Sequence, residues 1–171
     1  MKLSIKKILF IIIILMCFIT VPVKALNVNS KNVVLYKLDT KEKIFGLKSN
    51  EKVSIASLTK IMTVIVAIEN IKDQNQEITI TNDMLKGLAE QEAYVVGLKE
   101  GQKVTYKDLL YATLIASGAD ATNALAIGIS GSTSKYVKLM NQKAKDLGLN
   151  NTSFANPIGL DDKTITAPPK T

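Results

Sequence analysis

Histidine is absent from the 171 residues, and this excludes more chemistry than any other feature of the composition. Without an imidazole there is no Ser-His-Asp triad, no Cys-His pair and no histidine-ligated zinc. A nucleophilic serine in this chain needs a lysine, a carboxylate or a tyrosine as its base. Cysteine occurs once, at Cys17 within an apolar leader, so the rest of the chain has no disulfide and no thiol chemistry and is held by packing alone. There is no Gly-x-x-x-x-Gly-Lys phosphate loop, which leaves nucleotide chemistry without support. Internal repeats, low-complexity linkers and any compact basic run beyond the leader are also lacking, so nucleic acid is not an expected partner. No metal or cofactor is expected.

The leader itself follows a known physical pattern. Lys2, Lys6 and Lys7 precede an apolar run from Ile8 to Val21, and Val23-Lys24-Ala25 places small residues where a signal peptidase reads. Residues 1–25 are therefore expected to be a signal peptide cleaved after Ala25. The alternative, an uncleaved anchor, has an apolar run short of the ~20 residues a bilayer requires. Met16 stands before Cys17 where a lipoprotein wants a small residue. Removing the leader takes away four lysines and no acids, which lowers the formal charge from +7 to +3. An exported protein in the cell wall or on the outer face of the membrane is expected, with membrane-surface association supported only weakly by that charge.

What is present is a hydroxyl and an amine three residues apart, Ser57 and Lys60, at the start of a strongly apolar run. From Ser57 to Ile71 the spacing predicts a mostly buried helix with Thr59, Thr63 and Asn70 as its wet edge. Ser57, Lys60, Val64, Ala67 and Ile71 share a face, which places Lys60 among apolar neighbours. Desolvation disfavours an ammonium, and a neutral lysine accepts a proton from serine. At a helix start, the macrodipole and free amides also favour an oxyanion. The bland reading of the same four residues is an N-cap serine and a lysine reaching out to water.

Along the chain, residues 32–38 and 43–47 read as a β-hairpin, and residues 78–81 as a short strand. A short helix is expected over 83–88 and an extended piece over 94–98, followed by a turn at 99–102. Thr105 and Asp108 form a capping box for a buried helix ending at Ser117-Gly118. An alanine-rich helix over 120–129 follows. Thr133 or Ser134 then caps an amphipathic helix with Tyr136, Leu139, Met140, Ala144 and Leu147 on one side, stopped by Gly148.

Three stretches in this order, residues 56–63 around Ser57-Leu58-Thr59-Lys60, residues 114–121 around Ser117-Gly118-Ala119, and residues 151–162 ending Gly159-Leu160-Asp161-Asp162, resemble the serine-type D-alanyl-D-alanine carboxypeptidases, which are low-molecular-mass penicillin-binding proteins. The resemblance spans about residues 30–162. It implies an α+β fold of the β-lactamase/DD-peptidase type, an antiparallel sheet packed on helices. Here the helical half and an N-terminal β-hairpin are recognisable, and the C-terminal strands are expected to be missing. The implied domain plan is a signal peptide at 1–25, a partial catalytic domain at 26–162 and an unpatterned tail at 163–171.

Carried over by position, the resemblance makes Ser57 the acyl-ester nucleophile and Lys60 its proton acceptor. Ser117 becomes the hydroxyl that relays a proton toward the leaving D-alanine. Its implied substrates are peptidoglycan stem peptides ending in D-Ala-D-Ala, and β-lactams would acylate the same serine. The family's second motif is Ser-x-Asn, and Ala119 stands where its amide would bind substrate and support Lys60, with Asp120 as a replacement. The family's Lys-Thr-Gly segment is not found; Lys170-Thr171 lacks the glycine and lies too close to Gly159-Leu160. An inactive fragment or wall-binding remnant is therefore the rival reading. A β-lactamase is a weaker rival, since no glutamate is placed in a matching motif to activate a deacylating water.

Overall fold

The computed structural model of the chain describes residues 28–160, so the leader at 1–25, Asp161 and Asp162, and the tail at 163–171 lie outside the described residues. The chain divides into two units, Met1–Lys31 and Asn32–Thr171, and every element below belongs to the second.

The hairpin forms as the alternation predicts. Strand β1, Val33–Tyr36, pairs antiparallel with β2, Lys43–Leu47, from Val33 opposite Leu47 to Tyr36 opposite Lys43, with an irregularity between Leu35 and Tyr36. After a single 3-10 turn at Ala56–Leu58 comes helix α1, Thr59–Asn70. A second small sheet pairs β3, Glu77–Thr79, with β4, Lys103–Thr105. The first of these strands falls near the expected piece and the second was not expected; each has only three residues, too short for an alternation to be decisive. A single turn of helix, α2 at Asn82–Leu85, stands where a helix over 83–88 was expected.

Helix α3, Tyr106–Leu114, opens on the capping box: Thr105 Oγ1 accepts the Asp108 N–H at 3.1 Å, and Asp108 Oδ2 accepts the Thr105 N–H at 3.0 Å. Helix α4 runs Ala119–Ser130 and ends on Gly131 in a left-handed conformation. Helix α5, Thr133–Asp146, is capped by Ser132, one residue before the expected Thr133 or Ser134, because the Ser132 hydroxyl is the one that reaches the Lys135 N–H at 3.2 Å.

Helix α1 is the wedge of the structure, packed against α3, α4 and α5. Its Val64 and Ala67 join Leu109, Leu110, Ala121 and Leu125 in one cluster, while Met62 and Val66 join Tyr136, Met140 and Phe154 in another. Thr59 and Thr63 are fully buried, not a wet edge, whereas Ile61 and Ile68 are 50% and 51% exposed. For Thr63 the reason is polar pairing, whereas Thr59, whose Oγ1 has no hydrogen-bond partner among the described residues, is enclosed against Gly159. Thr63 Oγ1 donates to the Pro157 carbonyl at 2.7 Å, and Tyr136 Oη donates to the Thr63 carbonyl at 2.7 Å, so this side of α1 is covered by α5 and the segment after Phe154. Asn70 is exposed as expected. Among the described residues no helix is long and apolar enough to cross a membrane.

Candidate active site

Ser57 sits in the 3-10 turn, two residues before α1, and the turn delivers it strained: Ala56 just before it has φ 44°. Lys60 lies one residue into α1, so one helical step brings its Nζ within 3.3 Å of Ser57 Oγ. From the other side comes Ser117, beyond the end of α3, with φ 60° and its Oγ donating to Ser57 Oγ at 3.1 Å. Two non-glycine residues with positive φ at one small site are the kind of stored backbone strain that persists only where the surroundings impose it. The three groups singled out in the sequence thus converge on one oxygen.

Lys60 is 5% exposed and does not reach water as the bland reading requires. Burial lowers its pKa from the ordinary 10.5. Its second partner, which the sequence did not suggest, is the Ile158 carbonyl, which accepts from Nζ at 2.8 Å. A carbonyl holds the amine in place without the charge that would favour the ammonium. That carbonyl is aimed by an Asx turn: Asn156 Oδ1 accepts the N–H groups of Ile158 at 3.2 Å and Gly159 at 2.7 Å, and Asn156 Nδ2 donates to the Leu160 carbonyl at 3.0 Å. Gly159 has φ 78°, and a Cβ there would lie 2.1 Å from the Ala56 carbonyl oxygen. Only glycine lets this segment touch the turn that carries Ser57. The Asn156-Pro157 and Gly159 turn signals were visible in the sequence; the carbonyl they aim was not.

A cavity of about 240 Å³ opens at Ser57, Lys60 and Ser117, walled by Ala93, Tyr94, Ala119 and Leu160. A second cleft of about 490 Å³ reaches the same three groups past Leu58, Ile61, Thr113 and Leu114. Ala119 lines the first cavity with a methyl group. Asp120 does not line it: the residue is 1% exposed and its carboxylate is bound by backbone N–H groups. No group of three or more acidic or cysteine side chains suited to a metal occurs among the described residues. The arrangement is a serine hydroxyl flanked by a desolvated amine and a second hydroxyl.

Known proteins show the same assembly of elements. The chain matches the peptidase S11 family, described as D-alanyl-D-alanine carboxypeptidase, over residues 19–168. It is 39% identical over 134 residues to the D-alanyl-D-alanine carboxypeptidase DacF of Bacillus subtilis, covering 78% of this chain and 34% of that protein. It superimposes on the crystal structure of the D-alanyl-D-alanine carboxypeptidase DacD from Francisella tularensis with a TM-score of 0.77 at 31% identity, over 84% of this chain and 35% of the other. Penicillin-binding protein 5 from Haemophilus influenzae gives a TM-score of 0.78 at 29% identity, over 85% and 43%. The chain thus spans about a third of the length of the curated relative it matches. On the match over residues 19–168, the chain belongs to the serine-type D-alanyl-D-alanine carboxypeptidase family, peptidase S11.

Proposed function

We propose that the site performs acyl transfer from D-Ala-D-Ala ends of peptidoglycan stem peptides, with Ser57 as nucleophile, Lys60 as general base and Ser117 as proton relay. The observation that carries this reading is the convergence on Ser57 Oγ of Lys60 Nζ at 3.3 Å and Ser117 Oγ at 3.1 Å, with the lysine buried. Ser57 Oγ attacks the carbonyl carbon of the penultimate D-alanine while its proton passes to Lys60 Nζ. The C–N bond then breaks, and the amine of the terminal D-alanine leaves with a proton delivered through Ser117. Water attacks the resulting ester and gives its proton to Lys60; the acyl C–Oγ bond breaks, the proton returns from Lys60 to Ser57 Oγ, and a peptide one residue shorter departs. The activity belongs to an exported protein acting at the wall, and β-lactams enter as acylating mimics of the same substrate. An association with the membrane surface is part of this reading.

The experiment is labelling with a fluorescent penicillin and mapping by mass spectrometry. Label is expected on Ser57, lost in Ser57→Ala, and slowed ~10²–10⁴-fold in Lys60→Ala, the usual effect of removing a general base. A peptide ending in D-Ala-D-Ala should compete with the label. Modification elsewhere, or undiminished label in Ser57→Ala, overturns the assignment. No carboxylate lines the cavity among the described residues. The label is therefore expected to persist, which separates this chain from a β-lactamase.

A further inference from the structure

The resemblance offers Asp120 as a replacement for the substrate-binding amide missing at Ala119, yet its carboxylate has nothing left to offer a substrate. Oδ1 accepts the N–H of Val96 at 3.0 Å and of Ala121 at 3.0 Å, and Oδ2 accepts those of Gly97 and Leu98 at 2.9 Å each. An ionised carboxylate has about four acceptor sites, and four backbone N–H groups occupy them. The residue before it adds a further tie, the Ala119 N–H to the Tyr94 carbonyl at 2.8 Å. Gly118 lets the two segments close: a Cβ there would stand 2.8 Å from Val96 Cγ1 and 3.0 Å from Asp120 Oδ1. The strap at 94–98 forms no strand or helix, and these ties hold it in place together with the packing of Leu98 on the first core cluster.

That position matters because the strap begins in the cavity. Ala93 and Tyr94 form one wall of the space over Ser57, and Tyr94 is 67% exposed at its mouth. The other end of the tie is the turn that follows Ser117. We propose that Asp120 is a positioning residue: its carboxylate clamps the strap to the turn after Ser117, and so fixes the distance between the Ala93–Tyr94 wall and the reacting oxygen of Ser57. Substrate meets the wall, not the carboxylate. An asparagine cannot replace it. The carboxamide has one acceptor oxygen, and its NH₂ would face N–H groups, leaving at least two of the four without partners.

The labelling readout rests on the acyl-transfer reading above, so the test on the full chain pairs it with one that does not. Amide hydrogen exchange at Val96, Gly97 and Leu98 is expected to speed up at least ~10-fold in Asp120→Asn, with the Leu125 and Ala126 amides of α4 unchanged. Penicillin labelling should then show about a 10-fold weaker apparent binding constant and a saturating rate within ~3-fold of wild type. Gly118→Ala, which keeps the carboxylate but presses a methyl on both Val96 and Asp120 Oδ1 and so pushes the two segments apart, should reproduce the weaker binding. It also serves as the test should Asp120→Asn not fold. In Tyr94→Ala, adding Asp120→Asn should weaken binding by less than ~2-fold further, since the wall has already gone. Unchanged exchange at 96–98, or a loss confined to the saturating rate, would overturn the clamp. Wild-type protein that takes no label would sink the acyl-transfer reading, and the exchange comparison would still decide the role of Asp120.

Discussion

At Lys60 the stability and the reactivity of the protein respond to pH in the same direction. Burial lowers its folded pKa below the ordinary 10.5, so between that lowered value and 10.5 the unfolded chain binds the additional proton. Stability therefore rises with pH through this window, and the desolvation penalty is fully present only below it. In the proposed mechanism the neutral amine is also the form that takes the proton of Ser57. Penicillin labelling followed against pH should rise through an inflection below 10.5; an inflection at or above that value would mean that Lys60 is not the desolvated base. A second residue invites a gain in stability. Thr113 is fully buried and its Oγ1 has no hydrogen-bond partner among the described residues. Thr113→Val replaces that orphan hydroxyl with a methyl of similar shape and is expected to stabilise by about 1 kcal/mol, read as a raised urea midpoint at unchanged slope.

Among the elements, α1 carries both the chemistry and the packing. Tyr136 of α5 is fully buried, and burial raises its pKa; its hydroxyl holds the Thr63 carbonyl on α1. Tyr136→Phe should cost about 1 kcal/mol, measured by urea unfolding, and a cost near zero would mean that the contact is not formed in solution. The existence of this helix was legible because its apolar run is long, and so was the Ser57–Lys60 pair, since a helix fixes what lies three residues on. Which side of α1 is buried was not legible. Ile61 and Ile68 are apolar and half exposed, Thr59 and Thr63 are polar and enclosed, and Thr63 owes this to partners some 70 to 95 residues away. The same limit hid the Ile158 carbonyl: a backbone acceptor has no residue type to announce it. Asp120 was expected at the substrate and instead lies off the cavity wall, and its proposed role as a clamp was not legible because its partners are amide groups of Val96, Gly97 and Leu98.

The whole molecule has an uneven surface. Leu58, Ile61 and Ile68 are exposed, as are Tyr111, Leu114 and Ile115, and Leu35, Leu38 and Ile44 of the hairpin stretch also face outward. Part of this surface is a groove between α1 and α3 lined by Ile68, Leu110, Tyr111 and Ile115. Exposed apolar surface of this kind favours association. The isolated chain should elute in size-exclusion chromatography with light scattering as species larger than a monomer, and Ile68→Lys with Ile115→Lys should shift it toward the monomer. Monomeric wild-type protein at tens of micromolar would contradict this. The tie between Lys60 and Ile158 has a further consequence in time. It joins residues 98 positions apart, and the neighbouring Thr63–Pro157 tie spans 94. Contacts of such separation close late, after local helices have formed. A nascent or refolding chain thus acquires its helices while the amine is still hydrated and protonated, and on the proposed mechanism Ser57 stays unactivated until the last described residues dock.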